Sequence, residues 1–111
     1  MFVTTTKEQL LEVLKDTGEK EEDIICFYQP VDGISEPGWN IEKCGEVIRC
    51  KVSELPERKF DSGYGAPEGE PFIAFGPKYV YIKLQYDGSE WIEPIPRHPE
   101  YVEKPILWLG G

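Results

Sequence analysis

The residues able to hold a ligand cluster in the second half of the chain. One stretch reads Asp61-Ser62-Gly63-Tyr64-Gly65-Ala66-Pro67-Glu68-Gly69-Glu70-Pro71-Phe72, and another reads Pro94-Ile95-Pro96-Arg97-His98-Pro99. Glycines such as Gly63 and Gly65 let backbone N–H groups turn toward an anion. Tyr64 and Phe72 offer faces on which a planar ligand such as a nucleobase can stack. Arg97 carries a guanidinium between two prolines and suits a carboxylate or a phosphate. His98 is the only histidine, the residue type whose charge changes nearest neutral pH. Gly63, Tyr64, Gly65, Phe72, Arg97 and His98 are therefore the predicted ligand-binding set. The competing assignments are structural. Arg97 can pair with Asp61, Glu68 or Glu70 and staple the two loops, and the glycine stretch can serve as a rigid cover on the end of a sheet.

Other chemistries find less support in the same residues. No Gly-Lys-Ser/Thr follows the glycines, so the stretch is neither a P-loop nor a dinucleotide fingerprint. Ser62 and Ser89 do not sit in a nucleophile elbow that His98 could serve. Asp61, Glu68 and Glu70 are carboxylates without a spacing that makes them converge on a substrate. Cys26, Cys44 and Cys50 lack Cys-x-x-Cys spacing and, with one histidine, make a poor zinc set. Neither a catalytic residue, a metal nor a cofactor is expected.

The chain has 111 residues and a formal net charge of −9. That length fits one domain covering residues 1–111, and 40% hydrophobic residues are enough to form a core. The acidic excess is spread along both halves of the chain. Such a field repels nucleic-acid phosphates and anionic lipid, so neither nucleic acid nor membrane is an expected partner. No apolar run is long enough to cross a bilayer. The start, Met1-Phe2-Val3-Thr4-Thr5-Thr6-Lys7, lacks the pattern of a secretory signal, so the expected location is cytoplasmic. Cys26 and Cys50 then read as small buried hydrophobes in a reducing compartment.

These residues must be positioned by a small set of elements. Thr6-Lys7-Glu8-Gln9 matches a capping box, Leu10, Val13 and Leu14 share one helical face, and Gly18 supplies a stop. Glu19 to Asp23 reads as an exposed charged connection. Ile24 to Tyr28 is a buried strand closed by Pro30. Residues 30–45 form a long loop around Trp39, and Glu46 to Val52 alternates as a half-exposed strand. Phe72 to Phe75 is a strand stopped by Gly76-Pro77. Tyr79 to Tyr86 alternates, with Val80, Ile82, Leu84 and Tyr86 on one apolar side. Asp87-Gly88 signals a hairpin. Its register is expected to pair Leu84 with Ile92, because pairing with Trp91 sets Glu93 beside Ile82. Ile106, Leu107, Trp108 and Leu109 should pack on the body or on a neighbouring subunit. The fold class is α+β: an antiparallel sheet of four or five strands with one N-terminal helix packed on it.

The motif series also carries a resemblance. Phe60-Asp61-Ser62-Gly63-Tyr64-Gly65, Glu68-Gly69-x-Pro71-Phe72, Val80-Tyr81, Tyr86-Asp87-Gly88-Ser89-Glu90-Trp91 and Pro96-Arg97-x-Pro99, with a closing Gly110-Gly111, resembles small uncharacterised proteins encoded in phage and prophage genomes. The resemblance covers the second half of the chain. It departs at Ile73-Ala74-Phe75-Gly76, where Thr-Ala-Trp-Thr is expected, and at His98, where asparagine is expected. It implies a phage accessory protein acting in the host cytoplasm, with no catalytic residue to carry over. The leading expectation is a non-enzymatic binding protein that sequesters a small anionic, nucleotide-like ligand, in the manner of a host-defence antagonist. The alternatives are an acidic inhibitor or nucleic-acid mimic docking on a basic host protein, and a minor virion component. A homo-oligomer is expected in each case.

Overall fold

The computed structural model describes residues 3–31, 44–63, 69–86 and 89–102. A short strand, β1 (Val3–Thr4), leads into the helix α1 (Thr6–Thr17). The helix starts one residue earlier than the sequence pattern suggests. Thr5 is the N-cap, and its hydroxyl accepts the Glu8 N–H at 3.0 Å. Thr6 and Gln9, the predicted capping pair, instead make long-range bonds to Glu70 and to the carbonyl of Glu90. Three consecutive threonines leave the local cap ambiguous, and tertiary partners decide it. At the other end Gly18 takes φ 76° and returns its N–H to the Leu14 carbonyl at 2.9 Å, a left-handed cap that favours glycine.

The described strands β2 (Ile25–Tyr28), β3 (Ile48–Cys50), β5 (Phe72–Phe75), β6 (Tyr79–Tyr86) and β7 (Ser89–Pro96) form one antiparallel sheet in the order β3-β2-β5-β6-β7. A separate pair joins β1 to β4 (Phe60–Asp61). One helix on a five-stranded antiparallel sheet is the predicted α+β arrangement. Leu10 and Leu14 of α1 meet Cys26, Ala74, Tyr81 and Ile92 on the inner face of the sheet, with Ile24, Val52 and Leu55 closing the core. Burial pushes the Cys26 thiol up to about 12, with Cys50 on the neighbouring strand adding to the shift. Such a thiol is a poor nucleophile near neutral pH. The third strand is shorter than predicted, and Val52 lies beyond it in a 3-10 turn (Val52–Glu54). Most of the loop around Trp39, and the segment from Ile106 to Leu109, lie outside the described residues.

The hairpin register differs from the expected one. Leu84 pairs with Trp91, Lys83 with Ile92 and Ile82 with Glu93. Ile92 is 2% exposed, and a one-residue slip would turn it out of the core. Glu93 is tolerated beside Ile82 because its carboxylate accepts the Trp91 indole N–H at 3.0 Å on a half-buried surface. The same register reverses the faces of β6: Tyr81 and Lys83 point inward, and Val80, Ile82 and Leu84 lie on the outer face.

Pointing Lys83 inward builds a buried polar chain. Arg58 Nε donates to Glu70 Oε2 at 3.2 Å, and Thr6 Oγ1 donates to Glu70 Oε1 at 2.8 Å. Lys83 Nζ then donates to Thr6 Oγ1 at 3.1 Å and to Glu90 Oε1 at 3.0 Å. Glu90 also accepts the Gly69 N–H at 3.1 Å, while its own N–H reaches the Ser62 carbonyl at 2.7 Å. The Lys83 ammonium sits 4.6 Å from the centre of the Phe60 ring. Burial pushes the Lys83 pKa down, and Glu90 opposes that shift. Gly69 is required by close approach, since a Cβ there would run into Lys83 Nζ and lie 2.7 Å from Phe60 Cζ. Removing one partner of a buried pair strands the other charge, at a cost of about 3–5 kcal/mol. Lys83→Met should therefore lower unfolding stability by about that much in urea titration. Adding Glu90→Leu should recover part of the loss, and no recovery would contradict the pairing.

Candidate anion-binding site

The two ends of the β6–β7 hairpin carry different parts of the predicted ligand set. Arg97 follows the last residue of β7, and its N–H donates to the Lys78 carbonyl at 2.9 Å, which extends the ladder past Tyr79 and Pro96. Arg97 Nη1 donates to the Gly76 carbonyl at 2.8 Å. The chain then enters a 3-10 turn (Pro99–Tyr101), where proline at the first position and the Tyr101 N–H bond to the His98 carbonyl, at 3.0 Å, fold the tyrosine back. The Tyr101 ring meets the His98 ring edge-on, with centroids 5.7 Å apart. The Lys78 ammonium lies 5.6 Å from the centre of the same tyrosine ring. One ammonium and one imidazole thus meet the Tyr101 ring, Arg97 adjoins them through its backbone bond to Lys78, and Lys78, Arg97 and His98 are all exposed.

The corner is braced from the helix side. Glu19 Oε2 accepts the Lys78 N–H at 2.9 Å, and Glu19 Oε1 accepts the Tyr81 hydroxyl. Thr17 Oγ1 lies 3.0 Å from that hydroxyl. Glu19 packs so closely on Gly76 that a Cβ at 76 would collide with its carboxylate and lie 2.8 Å from Ile24 Cδ1. The predicted exposed connection therefore holds one residue, Glu19, with a structural duty, whereas Glu21, Glu22 and Asp23 are exposed as expected.

Electrostatically, the corner stands out in an acidic chain. Among the described residues neither Lys78 nor Arg97 takes part in an ion pair. The predicted carboxylate partners are engaged elsewhere: Glu70 holds Arg58, and Asp61 Oδ1 accepts the Gly63 N–H at 2.9 Å. Glu68 lies outside the described residues. Guanidinium and ammonium donors beside an aromatic face can grip an oxyanion and stack a planar group. Among the described residues no three of His, Cys, Asp and Glu gather as metal ligands.

The remaining predicted residues sit apart from Arg97 and His98. Gly63 follows Ser62, which is bonded to Glu90 at the opposite end of β7. Arg97 lies seven residue steps along the extended chain from Glu90, about 23 Å at about 3.3 Å per step. Phe72 opens β5 opposite Tyr28 and lines a shallow groove of about 150 Å³ with Phe27, Gln29 and Pro71. A larger mixed-charge groove of about 570 Å³ lies between Leu11, Leu14 and the Glu19–Glu22 turn. Arg97 lines neither of these grooves. Tyr64 and Gly65 lie outside the described residues. Sequence reasoning missed Lys78, Tyr101 and Glu19. Pro99 was the available signal, because a proline-started turn brings residues 98 and 101 to one side.

Comparison of the chain with protein-family models, curated proteins and solved structures finds no match.

Burial, reinforced by the bond to Glu19, pushes the Tyr81 pKa upward. The folded state therefore keeps this proton after the unfolded chain, with a phenol near about 10, has released it. The stabilisation is complete below about pH 10 and declines as pH rises further. Tyr81→Phe should lower stability by about 1 kcal/mol at neutral pH and flatten the alkaline decline, as read by urea unfolding from pH 8 to 11. An unchanged alkaline slope would contradict this role.

Proposed function

We propose that this protein is a non-enzymatic binding protein whose Lys78–Arg97–His98–Tyr101 corner takes an anionic, nucleotide-like ligand. The observation behind this reading is an exposed corner where the Lys78 ammonium and the His98 imidazole meet one tyrosine ring and Arg97 is bonded through its backbone to Lys78, in a chain of net charge −9. Arg97 and Lys78 would meet the phosphate oxygens and Tyr101 the base. The open shape of the corner favours a ligand held at the surface over one enclosed in a cavity. The resemblance to phage-encoded proteins suggests capture of a host nucleotide signal.

A second reading rests on the exposed Glu21-Glu22-Asp23 turn. An acidic surface of this kind can dock on a basic host protein, and such a complex would weaken as salt rises.

Calorimetric titration with linear and cyclic nucleotides and with inorganic phosphate tests the first reading. At least one nucleotide should bind, and Arg97→Ala should weaken it by roughly tenfold to a hundredfold, the loss of one charge-assisted contact. Tyr101→Ala should reduce the preference for nucleotide over phosphate. Absence of binding by any member, or equal affinity for Arg97→Ala, would refute the assignment.

A further inference from the structure

The outer face of the sheet carries an ordered charge pattern. Strand registers align Arg49, Phe27, Ile73, Ile82 and Glu93 in a single row that crosses all five strands. A parallel row holds Ile25, Phe75, Val80 and Ile95. α1 packs on the opposite face, and Ile25, Ile73 and Phe75 are 39%, 36% and 36% exposed. The central row is apolar except at its ends, which are a cation on the β3 edge and an anion on the β7 edge. Four strand spacings of about 4.8 Å put these ends about 19 Å apart.

The β7 edge of the sheet is poorly suited to pairing. The Arg97 N–H points to β6 and the Glu90 N–H points away, to Ser62. The alternation therefore directs the backbone nitrogens of residues 92, 94 and 96 to the free edge of β7. Pro94 and Pro96 have no N–H to offer there. The opposite edge, β3, is only three residues long. Association through a strand edge is thus disfavoured, and the face remains.

We infer that two copies of this chain pack outer face to outer face about a two-fold axis parallel to the strands. That axis lays β3 of one copy over β7 of the other and sets Arg49 against Glu93 of the partner subunit, twice. The other in-plane axis would oppose Arg49 to its own copy and Glu93 to its own copy, which like-charge repulsion disfavours. Strands of 4, 3, 4, 8 and 8 residues project roughly 430 Å² of face, so a pair covers about 860 Å², the size of a weak, reversible interface whose register is set by charge complementarity. The inference is independent of the ligand proposed above.

Sedimentation velocity on the full chain tests it, with circular dichroism confirming that each variant folds. The wild type should be a dimer at sub-millimolar concentration. Arg49→Glu and Glu93→Arg should each weaken dimerisation by about tenfold or more, and the double swap should restore it. A monomeric wild type, or a dimer indifferent to both swaps, overturns the proposal. So does a monomer that dimerises only when residues 103–111 are removed, which would assign the face to the chain's own C-terminal segment.

Discussion

Two buried carboxylates, Glu70 and Glu90, at 2% and 7% exposure, set the constraint on which this fold depends. An unmatched carboxylate in such a place costs several kcal/mol. Each is therefore surrounded by donors drawn from distant parts of the chain. Glu70 takes Thr6 from the start of the helix and Arg58 from the segment before β4. Glu90 takes Lys83 from the facing strand and the Gly69 amide. Thr6 bridges the two halves because its hydroxyl donates to Glu70 while accepting from Lys83. The helix N-terminus, the segment around Phe60 and the hairpin are thus tied at one point, and none can shift alone without stranding a charge.

That arrangement also shapes the surface. Twelve basic residues face twenty-one acidic ones, and Arg58 and Lys83 are spent on the interior pairs. The positions of the remaining cations then carry information. Lys78 and Arg97 lie together at the end of the hairpin remote from Glu90, where Glu19 fixes the turn beneath them without pairing with either side chain. Arg49 lies at the margin of the outer sheet face, its guanidinium 5.8 Å from the centre of the Phe27 ring. A basic corner and a polarised sheet face are both consequences of where a scarce charge can be placed.

Much of the fold could be read from the chain because helix and strand periods are local. Leu10 and Leu14 at helical spacing, Gly18 as a stop, and the alternation from Tyr79 to Tyr86 all reflect nearest-neighbour geometry. The failures have a common cause in long-range polar bonds. Thr6 looked like a cap because its partner, Glu70, is sixty-four positions away. The hairpin register departs from the expected one because Glu93 finds the Trp91 indole N–H beside Ile82 and Lys83 turns inward to Glu90. Once Lys83 is matched by Glu90, the charged face of β6 becomes the inner one. The candidate site was half readable. Arg97 and His98 were conspicuous between prolines, but Lys78 and Tyr101 join them only through the closing turns. Of the glycine stretch, Gly63 bonds to Asp61 and Gly69 to Glu90, at the end of the hairpin away from Arg97.

The central claim is that the Lys78–Arg97–His98–Tyr101 corner is where an anionic ligand lands. Amide chemical-shift mapping during titration with a nucleoside phosphate tests this most directly. The account predicts that perturbations concentrate at Gly76, Lys78, Arg97, His98 and Tyr101. Perturbations centred on residues 61–72, or none at saturating ligand, would contradict it.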